Sequence, residues 1–160
     1  MRRKVLLGLL VLLVAIQFIR PAKNQSSEMS VNDISKGYNV PANVNEVLQK
    51  ACNDCHSNNT VYPWYSNIQP VAWWLDNHIY DGKKELDFSE FTTYSPKKQH
   101  HKLEEVIETV KEGEMPLNSY TWMHKNAILT DAEKLTVSEW ADNLRKEIRA
   151  KYNIPLEEKK

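Results

Sequence analysis

Apolar side chains return every three or four residues in three stretches of the chain, at 44–51, 103–110 and 137–148. This spacing places them on one face of an α-helix, so each stretch predicts an amphipathic helix. Pro41 can open the first of these helices, and a fourth helix is predicted from Pro70 to Gly82. No stretch alternates apolar and polar residues as a half-buried strand does. The pattern therefore predicts an all-α body of about four helices.

The ends of two helices carry local signals as well. Ser95 and Pro96 form an N-cap and first-turn pair before the second apolar stretch, and Gly113 follows it. Thr130 and Glu133 have the spacing of a capping box before the third. These signals fix where the two longest predicted helices begin and where one of them ends.

The N-terminus combines a basic head, Arg2 to Lys4, with an almost wholly apolar run from Val5 to Ile19. This arrangement indicates an export signal or a membrane anchor. As a helix the run would be about 22 Å long, shorter than a hydrocarbon core of roughly 30 Å, which favours a cleavable signal peptide. The residues at 17–21 lack the small residues that signal peptidase requires, and this favours an uncleaved anchor. We expect the anchor, with the signal peptide as the alternative.

Charge and composition divide the chain into four parts. A signal anchor or signal peptide at 1–20 precedes a polar tether at 21–40, a helical domain at 41–152 and a charged tail at 153–160. Five of the 21 basic residues lie in the first 23 positions, whereas all 21 acidic residues lie after them. Residues 24–160 therefore carry a net charge of about −5, which argues against a nucleic-acid partner.

The two cysteines lie in the segment Cys52-Asn53-Asp54-Cys55-His56. This C-x-x-C-H pattern is the attachment sequence of c-type haem. Two thiols one helical turn apart can each add to a haem vinyl group, and His56 can then bind the iron. A thioredoxin-like pair would need a βαβ context, a structural zinc site would need more ligands, and a simple disulfide would leave His56 unexplained. The sequence predicts one covalently bound haem c held by Cys52, Cys55 and His56.

The iron needs a second axial ligand if the protein carries electrons. Met115 is the first candidate, because it lies in a loop just after the predicted helix end and is followed by the stiffening Pro116. Met123 is the next candidate. The remaining possibilities are Met29, His78, His100, His101 and His124.

Aromatic residues are dense after the cysteine motif. We expect Trp64 and Tyr65 to line the haem pocket, because flat rings pack against a porphyrin and their polar atoms can bind a propionate. Trp73, Trp74 or Trp140 are expected in the hydrophobic core.

Over residues 44–145 the chain resembles the bacterial haem-binding domain family, small proteins similar to c-type cytochromes that often carry an N-terminal membrane segment. The resemblance is carried by the cysteine motif, by the Pro-Trp-Tyr-Ser run and by several shorter segments. These segments are 52–58, 62–73, 86–91, 113–116, 119–121 and 140–141. The resemblance implies haem attachment at Cys52 and Cys55 and ligation by His56, with methionine ligation carried over to Met115. It names no substrate or partner.

Together these observations predict a cytochrome c-like domain of about four helices around one haem, preceded by an N-terminal membrane helix. The expected function is single-electron transfer in the bacterial cell envelope to a redox partner that the sequence does not identify, and an electron carrier is favoured over an enzyme. The alternative is a haem enzyme or gas sensor with a displaceable distal ligand, in which a histidine such as His124 would act as acid or base. The predicted location is the inner membrane with a single pass and the haem domain in the periplasm, or the periplasm itself after cleavage.

Overall fold

The computed structural model describes residues 1–155, and over this range its regular structure is helical. The only β-type pairing among these residues is an isolated bridge between Gln25 and Asn59. The α-helices are α1 (Arg2–Ile16), α2 (Ile34–Gly37), α3 (Ala42–Ala51), α4 (Asn53–His56), α5 (Val71–Glu85), α6 (Pro96–Glu112), α7 (Asn118–Thr121) and α8 (Asp131–Tyr152). Three short 3-10 helices lie at Trp64–Asn67, Phe88–Thr93 and Lys125–Ala127. The all-α prediction is confirmed, and four helices after residue 40 have ten or more residues: α3, α5, α6 and α8.

The signals at the helix ends act as the sequence predicts. Ser95 accepts a hydrogen bond from the Lys98 backbone N–H at 3.3 Å and begins α6, while Gly113 ends it with a left-handed φ of 78°. Thr130 and Glu133 form the complete capping box that begins α8. Each signal satisfies backbone groups that the helix itself leaves without partners.

Two neighbouring apolar clusters form the core, and α3, α6 and α8 contribute to both. The larger cluster consists of Ile34, Tyr38, Val44, Leu48, Leu86, Phe88, Phe91, Leu103, Ile107, Trp140, Ala141, Leu144 and Ile148. The smaller consists of Val47, Ala51, Val110, Ala127, Leu129 and Val137. The apolar stripes predicted for these three helices supply most of both clusters. Burial of these stripes is the main force that holds the helices together.

Helix α5 differs from its predicted extent, because it continues through Gly82 to Glu85. Gly82 lies where α5 crosses the backbone of α4: a Cβ added there would be 2.7 Å from the Cys55 carbonyl oxygen. The glycine therefore permits close packing of two helices, a role that its neighbours in the sequence do not reveal.

The segment 21–40, predicted as a tether, contributes to the core. Asp33 caps α2 by accepting from the Ser35 backbone N–H at 2.9 Å, and Ile34 and Tyr38 are buried. The Trp140 indole of α8 donates to the Asn39 carbonyl at 3.1 Å. Burial of Ile34 and Tyr38 therefore holds this segment against the domain, although its polar composition predicts a free linker.

The N-terminal helix α1 has 15 residues and none of them is buried. Within residues 1–155, no helix combines the length and the apolar character needed to cross a membrane. The predicted N-terminal membrane helix is therefore not found among these residues, and α1 ends at Ile16, before the end of the apolar run at Ile19. At the other end α8 stops at Asn153, which adopts a left-handed φ of 52°. The predicted charged tail lies mostly outside the described residues.

Candidate functional site

The cysteine motif begins at the end of α3 and forms the single turn of helix α4. Cys52 ends α3, with its backbone N–H bonded to the Leu48 carbonyl at 2.9 Å, and also begins α4. The Cys52 carbonyl accepts from the N–H groups of Cys55 and His56 at 3.1 and 3.0 Å. This turn brings residues three and four apart to the same side of the chain. The structure therefore places Cys52, Cys55 and His56 together.

Both cysteines are free thiols, and each is partly buried. Cys52 packs against both core clusters. Burial raises the pKa of Cys52 to about 12 and that of Cys55 to about 11, with smaller contributions from neighbouring negative charge. At neutral pH both sulfurs are therefore protonated and uncharged.

The His56 imidazole is held by a hydrogen bond at one nitrogen. Its Nδ1 lies 2.8 Å from the Leu86 carbonyl oxygen, and its ring meets Phe88 edge to face with centroids 6.4 Å apart. A carbonyl can only accept, so Nδ1 carries the proton and the lone pair is on Nε2. Burial lowers the pKa of His56 below its ordinary value, against the opposing effect of the carbonyls nearby. A neutral ring with an oriented Nε2 is the state in which histidine binds metals.

Asp54, between the two cysteines, ties the motif to distant parts of the chain. Its carboxylate accepts from the Tyr120 hydroxyl at 2.7 Å and from the Val61 backbone N–H at 2.8 Å. Its own carbonyl accepts from the Thr60 hydroxyl at 2.6 Å. Desolvation, followed by the Asp54 carboxylate, raises the pKa of the Tyr120 hydroxyl far above its ordinary value. The motif is thus held to α7 by a charge-assisted hydrogen bond.

A second aromatic group lies next to this contact. The His124 ring stacks on Tyr120 with centroids 4.2 Å apart, and its Nε2 lies 2.7 Å from the Tyr65 hydroxyl. Tyr65 therefore joins the same cluster as Asp54, through Tyr120 and His124. Sequence reasoning did not find the Asp54–Tyr120 contact, because 66 residues separate the partners and neither belongs to a local motif.

Met115 is partly buried and packs against the smaller core cluster, as Cys52 does. It follows Gly113, and its backbone N–H bonds to the Thr109 carbonyl at 3.1 Å. The other two methionine candidates, Met29 and Met123, are exposed to about 60%. Met115 therefore lies against the same apolar cluster that Cys52 contacts.

Two other histidine candidates, His78 and His101, have partners that suit surface roles. His78 lies against Trp74 on α5, with Nδ1 at 2.8 Å from the Trp74 carbonyl and the ring centroids 4.1 Å apart. His101 faces Glu104 and Glu105 on α6, with its ring nitrogens 3.9 and 3.1 Å from their carboxylates.

The tryptophans are distributed differently from the prediction. Trp140 is buried in the core as expected, but Trp73 and Trp74 are exposed, because α5 turns only Ala72 and Ile79 fully inward. The Trp64 ring is 73% exposed and meets Tyr65 edge to face.

The residues present fit a haem. Two neutral thiols and a neutral imidazole with its Nε2 lone pair lie on one turn, and the exposed Trp64 ring lies next to the Tyr65 cluster. The structure shows no group of three or more His, Cys, Asp or Glu side chains placed to hold a metal ion in residues 1–155. A haem supplies four of its iron's ligands itself and takes only axial ones from the protein.

Comparison with known proteins gives one match. The family model of the haem-binding domain covers residues 11–143, which is most of the chain and includes the whole cysteine motif. No curated protein and no solved structure matches the chain significantly. Since the family model covers well over half of the sequence, this chain belongs to the haem-binding domain family, and haem is its cofactor.

Proposed function

We propose that the chain is a c-type cytochrome that holds one haem covalently and carries single electrons. The observation that carries the proposal is the pairing of His56 Nδ1 with the Leu86 carbonyl, on the same turn as two free thiols. A bound haem supplies the one-electron couple of its iron. The protein supplies attachment through Cys52 and Cys55, and one axial ligand through His56.

Attachment requires only an addition reaction. Each cysteine would break its S–H bond, giving its sulfur to one carbon of a haem vinyl group and its hydrogen to the other carbon. No atom is lost and no oxidant is needed, provided that both thiols are reduced. Cys52 and Cys55 are both free thiols, as this step requires.

Met115 is proposed as the second axial ligand, because it packs against the apolar cluster that Cys52 also contacts. Iron with histidine and methionine ligands has no open position, which suits outer-sphere electron transfer and gives a higher potential than two histidines. Trp64 and Tyr65 are proposed to lie against the haem. Their support is the exposure of the Trp64 ring and its contact with Tyr65.

The proposed location is the inner membrane, with the haem domain on the periplasmic side. The support is the basic head at Arg2 to Lys4 and the apolar surface of α1, all of whose residues escape burial in the protein. Release to the periplasm by cleavage is the alternative. The redox partner is proposed to be a protein, and the net charge of about −5 after residue 23 favours one with a basic contact surface.

Attachment is tested by expressing the full chain in a bacterium that matures c-type cytochromes. We expect haem to remain with the polypeptide on a denaturing gel and to be lost in the C52A/C55A double variant. Each single variant should keep one thioether, visible as a shifted α band of the pyridine haemochrome. Haem that is extracted from the native chain by acidified acetone would contradict covalent attachment.

Ligation and electron transfer are tested by spectroscopy with matched variants. His56→Ala should abolish the native haem spectrum, whereas His78→Ala on the surface of α5 should not. Met115→Ala should remove the low-spin methionine signal, whereas the exposed Met123→Ala should keep it. We expect a reversible one-electron couple and no CO binding to the reduced protein at neutral pH. Ready CO binding would favour the enzyme or sensor instead.

A further inference from the structure

The chain leaving α1 is hydrogen-bonded to the haem domain. The Gln17 side-chain amide pairs with the backbone of Gln69: its oxygen accepts from the Gln69 N–H at 2.9 Å, and its Nε2 donates to the Gln69 carbonyl at 3.3 Å. The same Nε2 also lies 3.0 Å from the Leu13 carbonyl of α1. One side chain therefore joins α1 to the start of α5.

Two further bonds fix the next turn of the chain. The Ile19 carbonyl accepts from Gln69 Nε2 at 2.7 Å and from the Trp73 indole N–H at 3.1 Å. Gln69 is only 2% exposed. Hydrogen bonds at a site shielded from water are stronger and more rigid than the same bonds on the surface. We call Gln17, Ile19, Gln69 and Trp73 the junction clamp.

Apolar side chains within and beside the junction clamp are exposed. Phe18 and Ile19 are 84% and 61% exposed, and Ile68 and Trp73 are 44% and 37% exposed. The Trp73 ring keeps its polar N–H bonded to protein. Tryptophan is enriched at lipid–water interfaces because it combines a large apolar ring with one polar N–H.

The occupant of this face follows from its continuity with α1. The side chains of the helix are exposed on all sides and apolar after Lys4, so the helix offers one apolar surface that ends at the junction clamp. Arg20 and Lys23 follow and are exposed, and basic side chains are attracted to anionic headgroups. An apolar face followed by two exposed basic residues fits a lipid bilayer.

We propose that the junction clamp docks the haem domain rigidly on the bilayer, with Phe18, Ile19, Ile68 and Trp73 at the lipid–water interface. This rests on the membrane anchor of the proposed function and adds a fixed orientation to it. Because residues 17–19 are bonded to the domain, insertion of α1 brings the face around Gln69 to the membrane surface. The haem would then keep a constant orientation relative to the membrane plane, whereas a free tether would allow many orientations.

The test uses the haem-loaded full chain in oriented bilayers containing an anionic lipid. Electron paramagnetic resonance of the ferric haem reports its three principal directions, so a fixed haem gives a spectrum that changes as the film is rotated in the field. Liposome co-sedimentation measures anchoring separately. We expect the native chain to sediment with lipid and to show the angular dependence. Since the signal requires only a rigidly held haem, it does not depend on thioether attachment.

Variants test whether the junction clamp fixes the orientation of the haem. Gln17→Ala removes the two hydrogen bonds to the Gln69 backbone, and the side chain it truncates is only partly buried. We expect this variant to sediment with lipid but to lose most of the angular dependence. Trp73→Phe, which lacks the indole N–H, should lose part of it. Gln49→Ala, an exposed glutamine of α3, is the matched control and should behave as the native chain.

The outcomes separate the two proposals. A chain that stays in solution overturns the membrane anchor, and the docking with it. A chain that sediments but gives the same spectrum at every angle overturns rigid docking alone, as does an angular dependence that Gln17→Ala leaves intact. An angular dependence lost at high lipid-to-protein ratios would assign the face to a second copy and overturn the lipid assignment.

Discussion

Helices α6 and α8 are held together mainly by packing of apolar side chains, whereas the turn at residues 52–61 is held mainly by hydrogen bonds. Leu103 and Ile148 of the helix pair are fully buried, with the Arg145–Glu104 ion pair at 2.7 Å beside them. In the turn, Asp54 and His56 bond to partners 30 to 66 residues away. We call the first region the helix pair and the second the motif turn.

The difference separates two tasks. Packing of apolar side chains stabilises the fold strongly but does not orient polar atoms. It therefore suits a scaffold. Hydrogen bonds contribute less net free energy but fix direction, and the proposed ligation by His56 requires that its Nε2 be held in one direction. Changes in the helix pair should therefore affect stability most, and changes in the motif turn should affect haem attachment and ligation more than stability.

The largest expected effect is in the helix pair. Leu103→Ala removes a fully buried side chain from α6, and we expect the free energy of unfolding to fall by about 2–5 kcal/mol. Leu135→Ala, at a leucine of α8 that is 57% exposed, should change it by less than about 0.5 kcal/mol. Urea unfolding followed by circular dichroism measures both. Equal losses in the two variants would show that the helix pair is not the scaffold.

The second effect concerns the thiols of the motif turn in the haem-free chain. The pKa of Cys55 is raised to about 11 from an ordinary 9.0, so at pH 8 its thiolate fraction is about 100-fold lower than in the unfolded chain. Iodoacetamide should therefore alkylate the haem-free folded chain correspondingly more slowly than the same chain in urea, as measured by mass spectrometry.

The same shift makes stability depend on pH. Since the folded pKa values of Cys52 and Cys55 lie above the unfolded ones, the folded haem-free chain holds these protons more tightly. Its stability should be complete below pH 9 and should fall as pH rises towards 11–12. Alkylation at the unfolded rate, with no loss of stability above pH 9, would show that the motif turn leaves its thiols in water.

The sequence predicts the helix pair well because its signals are local. Ser95, Gly113 and Thr130 act on backbone groups within four residues, and the stripe on α8 needs only helical periodicity. For the motif turn, the C-x-x-C-H spacing predicts only the candidate haem-binding residues. The contact that orients His56 is made by a backbone carbonyl, that of Leu86, so no side chain in the sequence indicates it.

The errors have the same origin. Trp73 and Trp74 were expected in the core because they are large and apolar, yet which face of α5 is buried depends on how α5 packs against α4. Ile34 and Tyr38 are buried although the segment around them is polar. In each case a tertiary contact determines whether the residue is buried, and the local sequence pattern carries no information about that contact.

The third effect lies where α5 crosses the motif turn. Gly82→Ala places a Cβ 2.7 Å from the Cys55 carbonyl oxygen and 3.0 Å from the Cys55 Cβ, so the two helices must separate. We expect a loss of about 1–3 kcal/mol in unfolding free energy, with less haem attached per chain. Gly8→Ala is the matched control, because no atom lies within 4 Å of its added Cβ and alanine favours a helix. A stabilised Gly82→Ala chain with full haem content would show that this crossing is loose.

The smallest effect should come from the bond between the motif turn and α7. Tyr120→Phe keeps the ring that stacks on His124 but removes the hydroxyl that donates to Asp54 at 2.7 Å. We expect a loss of only about 1–2 kcal/mol in unfolding free energy. Tyr80→Phe, at an exposed tyrosine of α5, is the control and should leave stability unchanged.

We expect Tyr120→Phe to disturb the orientation of the motif turn more than it lowers the free energy of unfolding. Without Tyr120 as a donor, the Asp54 carboxylate keeps only the Val61 N–H, and the turn that presents Cys55 and His56 loses its link to α7. We therefore expect the haem-loaded Tyr120→Phe chain to show a shifted reduction potential and a broadened low-spin signal, while Tyr80→Phe shows neither. A variant that loses stability with an unchanged potential would show that hydrogen bonds in the motif turn serve the scaffold, and the contrast with the helix pair would fail.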